Sequence, residues 1–152
     1  MLFRSDREFD ADGRVVRETY YDKSGSVGAN DSGVITVKTA YSEDGSTREL
    51  HYFDALGEPM MPESLGAYAE IRTFDQFGNV CRVQLLDAGR RPMSGAKGWA
   101  TAEYVFDEEK HRLSEMYYGP DGHLTLIEGG YAGVTRIYDE RGNVIRDRKS
   151  VV

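Results

Sequence analysis

Residues 74–98 read FDQFGNVCRVQLLDAGRRPMSGAKG, and the order of residue types in this stretch decides the architecture. An aromatic and an aspartate come first, Phe74-Asp75. Gly78 stands four residues after the aromatic. An apolar-basic run follows, Val80-Cys81-Arg82-Val83, then a second aspartate and glycine, Asp87 and Gly89, and a third glycine, Gly98. The same frame recurs along almost the whole chain. The first aromatic of each copy falls at Phe9, Tyr41, Phe74, Phe106 and Tyr138, at steps of 32, 33, 32 and 32 residues. The third glycine falls at Gly33, Gly66, Gly98 and Gly130, always 8 residues before the next aromatic.

Several columns holding one period in the range of about 20–50 residues mark stacked units. The chain divides into units of approximately 1–33, 34–66, 67–98, 99–130 and 131–152, forming a single repeat domain. Each unit carries two turns. The first is Asp10-Ala11-Asp12-Gly13, then Ser42-Glu43-Asp44-Gly45, Asp75-Gln76-Phe77-Gly78 and Asp139-Glu140-Arg141-Gly142. Asp or Ser caps such a turn through its side chain, and Gly at the fourth place supplies a positive φ. This is hairpin chemistry, a type I turn closed by a Gly bulge. The fourth copy, Asp107-Glu108-Glu109-Lys110, has Lys where Gly belongs, so a looser or different turn is expected there. The second turn is Asp22-Lys23-Ser24-Gly25, Asp54-Ala55-Leu56-Gly57, Asp87-Ala88-Gly89, which reads as one residue short, and Gly119-Pro120-Asp121-Gly122.

Between the turns lie runs rich in Val, Tyr, Thr and Phe and free of Pro, which predict strands. These are 14–21, 46–53, 79–86, 111–118 and 143–148, with 34–41, 67–74, 99–106 and 131–138 opened by the third glycine. The variable stretches carrying Pro59, Pro62 and Pro92 predict loops or short edge strands. Residues 108–118 have a composition compatible with helix, but they occupy a strand slot in every other copy, and consistency across copies outweighs local propensity. The expected fold is therefore all-β: antiparallel hairpin repeats in an elongated meander or solenoid-like sheet. The aromatic column Phe9, Tyr41, Phe74, Phe106 and Tyr138 is the expected core.

A net charge of −7, from 19 basic and 26 acidic residues, argues against nucleic acid and against anionic membrane surfaces. No apolar run approaches the roughly 18–20 residues of a membrane helix, so no membrane insertion is expected. Cys81 is the single cysteine, so no intrachain disulfide forms and pairing does not decide the compartment. Met1-Leu2-Phe3-Arg4-Ser5-Asp6 runs into charge without the apolar core of a leader. Cytoplasm and, for a piece of a longer exported protein, the cell surface or medium both stay open. The start just before an aromatic column and the stop partway through a unit lean towards the second.

Tyr138-Asp139-Glu140-Arg141-Gly142-Asn143-Val144 and Phe74-Asp75-Gln76-Phe77-Gly78-Asn79-Val80 resemble the YD (Rhs-type) repeats of bacterial surface and toxin proteins. Tyr20-Tyr21-Asp22-Lys23-Ser24-Gly25, Tyr52-Phe53-Asp54-Ala55-Leu56-Gly57 and Tyr117-Tyr118-Gly119-Pro120-Asp121-Gly122 are similar to the aromatic-Asp-Gly hairpins of cell-wall and glucan-binding repeats. The likeness covers about four and a half units. It implies a bacterial, non-catalytic β-hairpin array, often an appendage of something larger.

Catalytic and metal chemistry find little purchase. His51, His111 and His123 share no metal-ligand spacing. Asp10-Ala11-Asp12-Gly13 opens like a calcium loop, but Arg14 and Tyr21 stand where further ligands belong. Gly25-Ser26-Val27-Gly28 lacks the Lys and the helix of a phosphate cradle. No Ser, Cys or Thr sits in a nucleophile-elbow context. No cofactor is expected. A carboxylate-dependent enzyme stays the weakest of three readings.

The remaining signal is a set of neighbouring aromatics: Tyr20/Tyr21, Tyr52/Phe53 and Tyr117/Tyr118. On a strand such neighbours point to opposite faces. Phe53 has no polar tip and the stronger claim to the interior, and Tyr21 and Tyr118 follow it in register. That leaves Tyr20, Tyr52 and Tyr117 as an exposed ladder, interrupted by Leu85, with Trp99 and Tyr131 able to join. Rings spaced by repeat could stack on sugar faces or anchor a protein interface. The expectation is a module binding carbohydrate or cell-envelope material through this ladder. The alternatives are a structural spacer or protein-interaction module, and a second covered face in which the ladder is simply core.

Overall fold

The computed structural model describes residues 4–152; Met1–Phe3, part of the opening read above for a leader, lie outside the described residues. The fold is all-β. Ten strands follow in order: β1 (Arg4–Phe9), β2 (Val15–Tyr21), β3 (Thr36–Tyr41), β4 (Thr47–Phe53), β5 (Ala69–Phe74), β6 (Val80–Leu86), β7 (Thr101–Phe106), β8 (Arg112–Tyr118), β9 (Gly133–Tyr138) and β10 (Val144–Ser150). Each pairs antiparallel with the next, giving one open ten-stranded meander in sequence order. No helix occurs among the described residues, and residues 112–118 form a strand as the periodicity requires.

Local chemistry explains the hairpins. Asp75 Oδ1 accepts the backbone N–H groups of Phe77 and Asn79, each at 2.9 Å, and Gly78 N–H donates to the Asp75 carbonyl at 3.1 Å. Asp10, Asp107 and Asp139 repeat the pattern. In the second copy Asp44 takes part of the role. The Ser46 N–H first, then the Ser42 and Ser46 hydroxyls, hold its carboxyl down at about 2. Gly13, Gly45, Gly78 and Gly142 have φ between +74° and +81°, as the turn reading expects.

Two turn expectations are corrected. Lys110 keeps the same turn as its counterparts by taking the left-handed conformation itself, at φ +67°. Its N–H donates to the Asp107 carbonyl at 3.1 Å. The turn at Asp87 is not a residue short: Arg90, rather than Gly89, is the left-handed fourth residue, at φ +63°.

Within a hairpin the strands match over their whole length, as in Arg4↔Tyr21 through Phe9↔Val15. Between hairpins the ladders are shorter: β2 meets β3 only over Arg17–Thr19 and Thr36–Lys38. The β2–β3, β6–β7 and β8–β9 junctions thus splay towards the first turns, whereas β4 and β5 stay paired as far as Thr47↔Thr73. Tyr41 Oη donates to the Val15 carbonyl at 2.7 Å and Tyr138 Oη to the Arg112 carbonyl at 2.8 Å. Both bonds bridge a splay and satisfy a carbonyl the ladder leaves free.

At the opposite end of the strands the connections clasp the sheet. Val27, Pro59, Pro92 and Leu124 bridge back to Tyr21, Phe53, Leu86 and Tyr118, so the proline stretches begin as single edge bridges. The expectation of two turns per unit is also corrected: a third turn follows, ending on Gly33, Gly66, Gly98 or Gly130, all at positive φ. These turns stack on one another: Ala96 N–H donates to the Leu65 carbonyl at 3.1 Å, and the Gly66 Cα lies against the Ala96 backbone.

The core lies at this end of the strands, on both faces of the sheet, and it is built largely of small residues. Ala67, Ala69, Ala100 and Ala102 are wholly buried, with Val34, Ala132, Val134, Leu85 and Leu86 beside them. The expected aromatic core is corrected accordingly. Phe9 is 58 % exposed, and Tyr41, Phe74, Phe106 and Tyr138 are only half-buried. This column sits near the first turns, where the sheet is a single layer. Cations and a neighbouring ring shield it instead. Arg48 lies 4.5 Å from the Phe74 ring centroid, Arg14 lies 4.6 Å from that of Tyr41, and His111 stacks on Tyr138 at 4.7 Å.

Candidate functional site

Residues directly opposite in an antiparallel ladder share a face, and alternate residues of a strand share it too. Tyr52 lies opposite Val37, Tyr20 opposite Ser5, Leu85 opposite Glu70 and Tyr117 opposite Ala102. Counting by twos, the column Phe9, Tyr41, Phe74, Phe106 and Tyr138 falls on this same face. Alternation separates Tyr52 from Phe53 as expected, but the assignment of faces is corrected. The ladder face is the one covered by the third turns, with Gly95 close against the Leu85 side chain. Tyr117 is buried at 7 % exposure, so it is no part of an exposed row. Tyr21, Phe53 and Tyr118 are half-buried on the other face. There Arg4 covers Tyr21 and Lys38 covers Phe53, each at 4.7 Å from the ring centroid.

The five expected site residues divide into two groups. Trp99 and Tyr131, both half-buried, flank Tyr117 with ring centroids at 6.0 and 6.3 Å. This is a packed aromatic cluster under the connections. Tyr20 and Tyr52 are half-buried and border a trough of about 350 Å³ that runs over β1–β5. Its floor is Val37, Thr39 and Leu50, and its walls add Tyr41, Arg7, Arg48 and Arg72. Burial raises the pKa of both tyrosines, with help from the charge of Glu18 at Tyr20 and of Glu70 at Tyr52. Both hydroxyls therefore remain neutral donors at physiological pH.

The arginines are the part that sequence reading missed. Arg7 and Arg72 each stand two residues before a column aromatic, as does Arg136. A period of two puts them on the face of that aromatic, so the signal was present. Arg7 Nε donates to Glu18 Oε1 at 3.1 Å. Arg72 pairs with Glu70, which is 3 % exposed; the two charges touch, although Glu70 Oε1 lacks a well-directed hydrogen bond. Arg136 and Arg112 serve a second buried carboxylate, Glu115, at 3.3 and 3.1 Å. Among the described residues, no three His, Cys, Asp or Glu side chains gather where they could hold a metal ion.

A floor of two apolar side chains and a threonine, two tyrosines with neutral hydroxyls and a fringe of guanidinium groups suit a flat, polyhydroxylated ligand better than an apolar one. No protein-family description matches this chain, and no curated protein matches it in sequence.

Proposed function

We propose that this chain is a non-catalytic hairpin-repeat module that binds carbohydrate or cell-envelope material in the trough over β1–β5. Tyr20, Tyr52 and Tyr41 supply the contact rings, and half-exposed Trp99 and Tyr131 offer a second contact further along. The likeness to YD and wall-binding hairpins gives the module its setting, as part of a bacterial surface protein. One observation carries the reading: Tyr20 and Tyr52, from successive hairpins, are accessible within a single hollow that could take one sugar ring. Stacking on aromatic faces with hydroxyl and guanidinium hydrogen bonds at the rim is the chemistry such a ligand needs.

A glycan array followed by calorimetry tests the proposal. Tyr52→Ala and Tyr20→Ala should each weaken binding of the retained glycan by roughly tenfold or more, on the scale of a central interface aromatic. Tyr118→Ala, on the other face, should leave binding intact. Circular dichroism checks that each variant folds. Retention of no glycan, or equal losses from all three variants, defeats the reading.

A protein-interaction role has one observation in its favour. β1 and β10 are the edges of the sheet, and all of β10 is exposed, including Val144 and Ile145 at 50 and 64 %. Such an edge can take another strand.

A further inference from the structure

Taking the trough as a saccharide site, we propose that it selects anionic saccharides and that Arg48 reads the negative charge. The chain as a whole is acidic, at −7. Yet the trough gathers three arginines, Arg7, Arg48 and Arg72. Glu18 neutralises Arg7 and Glu70 neutralises Arg72. Arg48 has no carboxylate within ion-pair distance among the described residues, so the trough carries one surplus positive charge.

Arg48 is the cation of this group without a counter-charge among the described residues. It lies directly opposite Arg72 across the β4–β5 ladder, and like charges so placed destabilise a sheet. An anion seated beside Arg48 gives it the counter-charge that Glu70 already gives Arg72. Arg48 is also held ready for the task. Its guanidinium lies 4.5 Å from the Phe74 ring centroid and 5.6 Å from that of Tyr41. A guanidinium stacked on ring faces keeps its in-plane N–H edge for an acceptor, and the planar fork matches a carboxylate or phosphate. The same trough presents Tyr20 and Tyr52, so a sugar ring can stack while its acidic group reaches Arg48.

The chemical class is therefore a saccharide bearing a carboxylate or a phosphate. Four probes separate the possibilities by calorimetry on the full chain: a uronic-acid oligosaccharide, a phosphorylated oligosaccharide, a neutral oligosaccharide of the same length, and poly-glutamate. At least one acidic saccharide should bind ten times more tightly than the neutral one, and which of the two does so identifies the acidic group. Its affinity should fall as sodium chloride rises from about 50 to 500 mM, because the contact is a partly exposed charge pair. Arg48→Gln should abolish most of the preference, Arg48→Lys should keep part of it, and Arg17→Gln on the other face should keep it all.

Equal binding of acidic and neutral saccharides overturns the charge inference and leaves the glycan reading standing. Tight binding of poly-glutamate with no saccharide bound overturns the glycan reading and the saccharide class together. The salt dependence of the unmodified protein needs no variant, so a misfolded Arg48→Gln does not remove the test. An affinity indifferent to salt overturns the proposal.

Discussion

Lys110 and Arg90 show the turn geometry prevailing over the residue. Both take φ above +60°, a region that costs a residue with a Cβ about 1–2 kcal/mol. The Asp side chain ahead of each holds two N–H groups of its turn and over-determines the conformation. Lys110→Gly should therefore stabilise the protein by about 0.5–1 kcal/mol, the conformational relief less the extra freedom of Gly in the unfolded chain. A shift of the urea midpoint to higher concentration is the expected result; a lower midpoint would show that Lys110 contributes contacts outweighing its strain. Arg90→Gly should gain less, because the Arg90 guanidinium donates twice to Glu49, at 2.6 and 3.1 Å.

Elements differ in how much space their glycines need. Gly78 closes the β5–β6 hairpin at φ +81°, with nothing within 4 Å of where a Cβ would stand. Gly66 ends a third turn at φ +66°, and a Cβ there would collide with the Ala96 backbone of the next connection. Gly78→Ala should cost about 1 kcal/mol, the conformational part alone. Gly66→Ala should cost clearly more, roughly 2–4 kcal/mol, because two stacked turns must part beside the wholly buried Ala67. Chemical denaturation of the two variants side by side decides, and equal losses would mean that the third turns do not stack tightly in solution.

Across the whole molecule, a meander whose strands contact only sequence neighbours has no long-range closure. Its stability is close to a sum of local and nearest-neighbour contributions. The most buried side chains are spread over the span from Val34 to Val134, whereas β10 is exposed throughout and β1 nearly so. Hydrogen exchange should run in the same order. Amides of β5–β8 should exchange slowest, and those of β1 and β10 fastest by orders of magnitude. Uniform protection from edge to edge would indicate a single cooperative unit instead.

The chain by itself determined the elements. A side-chain acceptor and a positive φ at fixed places set the turns, with Gly supplying the φ in all but those of Arg90 and Lys110, because both demands are met within four or five residues. With the turns set, the strands between them and their antiparallel order followed, and so did the separation of Tyr52 from Phe53. Tertiary structure decided which face is covered and by what. Alternation is symmetric: it says that two rings part and is silent on which goes inward. That choice rests on the connections ending at Gly33, Gly66, Gly98 and Gly130, which fold over one end of the strands. They bury Tyr117 and Leu85 and leave Phe9 in solvent. The aromatic column, constant in type, reads as core by composition alone. In a single-layer sheet its rings need only partial cover, and arginines supply much of it. Arg7, Arg48 and Arg72 stand 41 and 24 positions apart in the chain, and only the lateral pairing of β1 to β5 makes them walls of one trough.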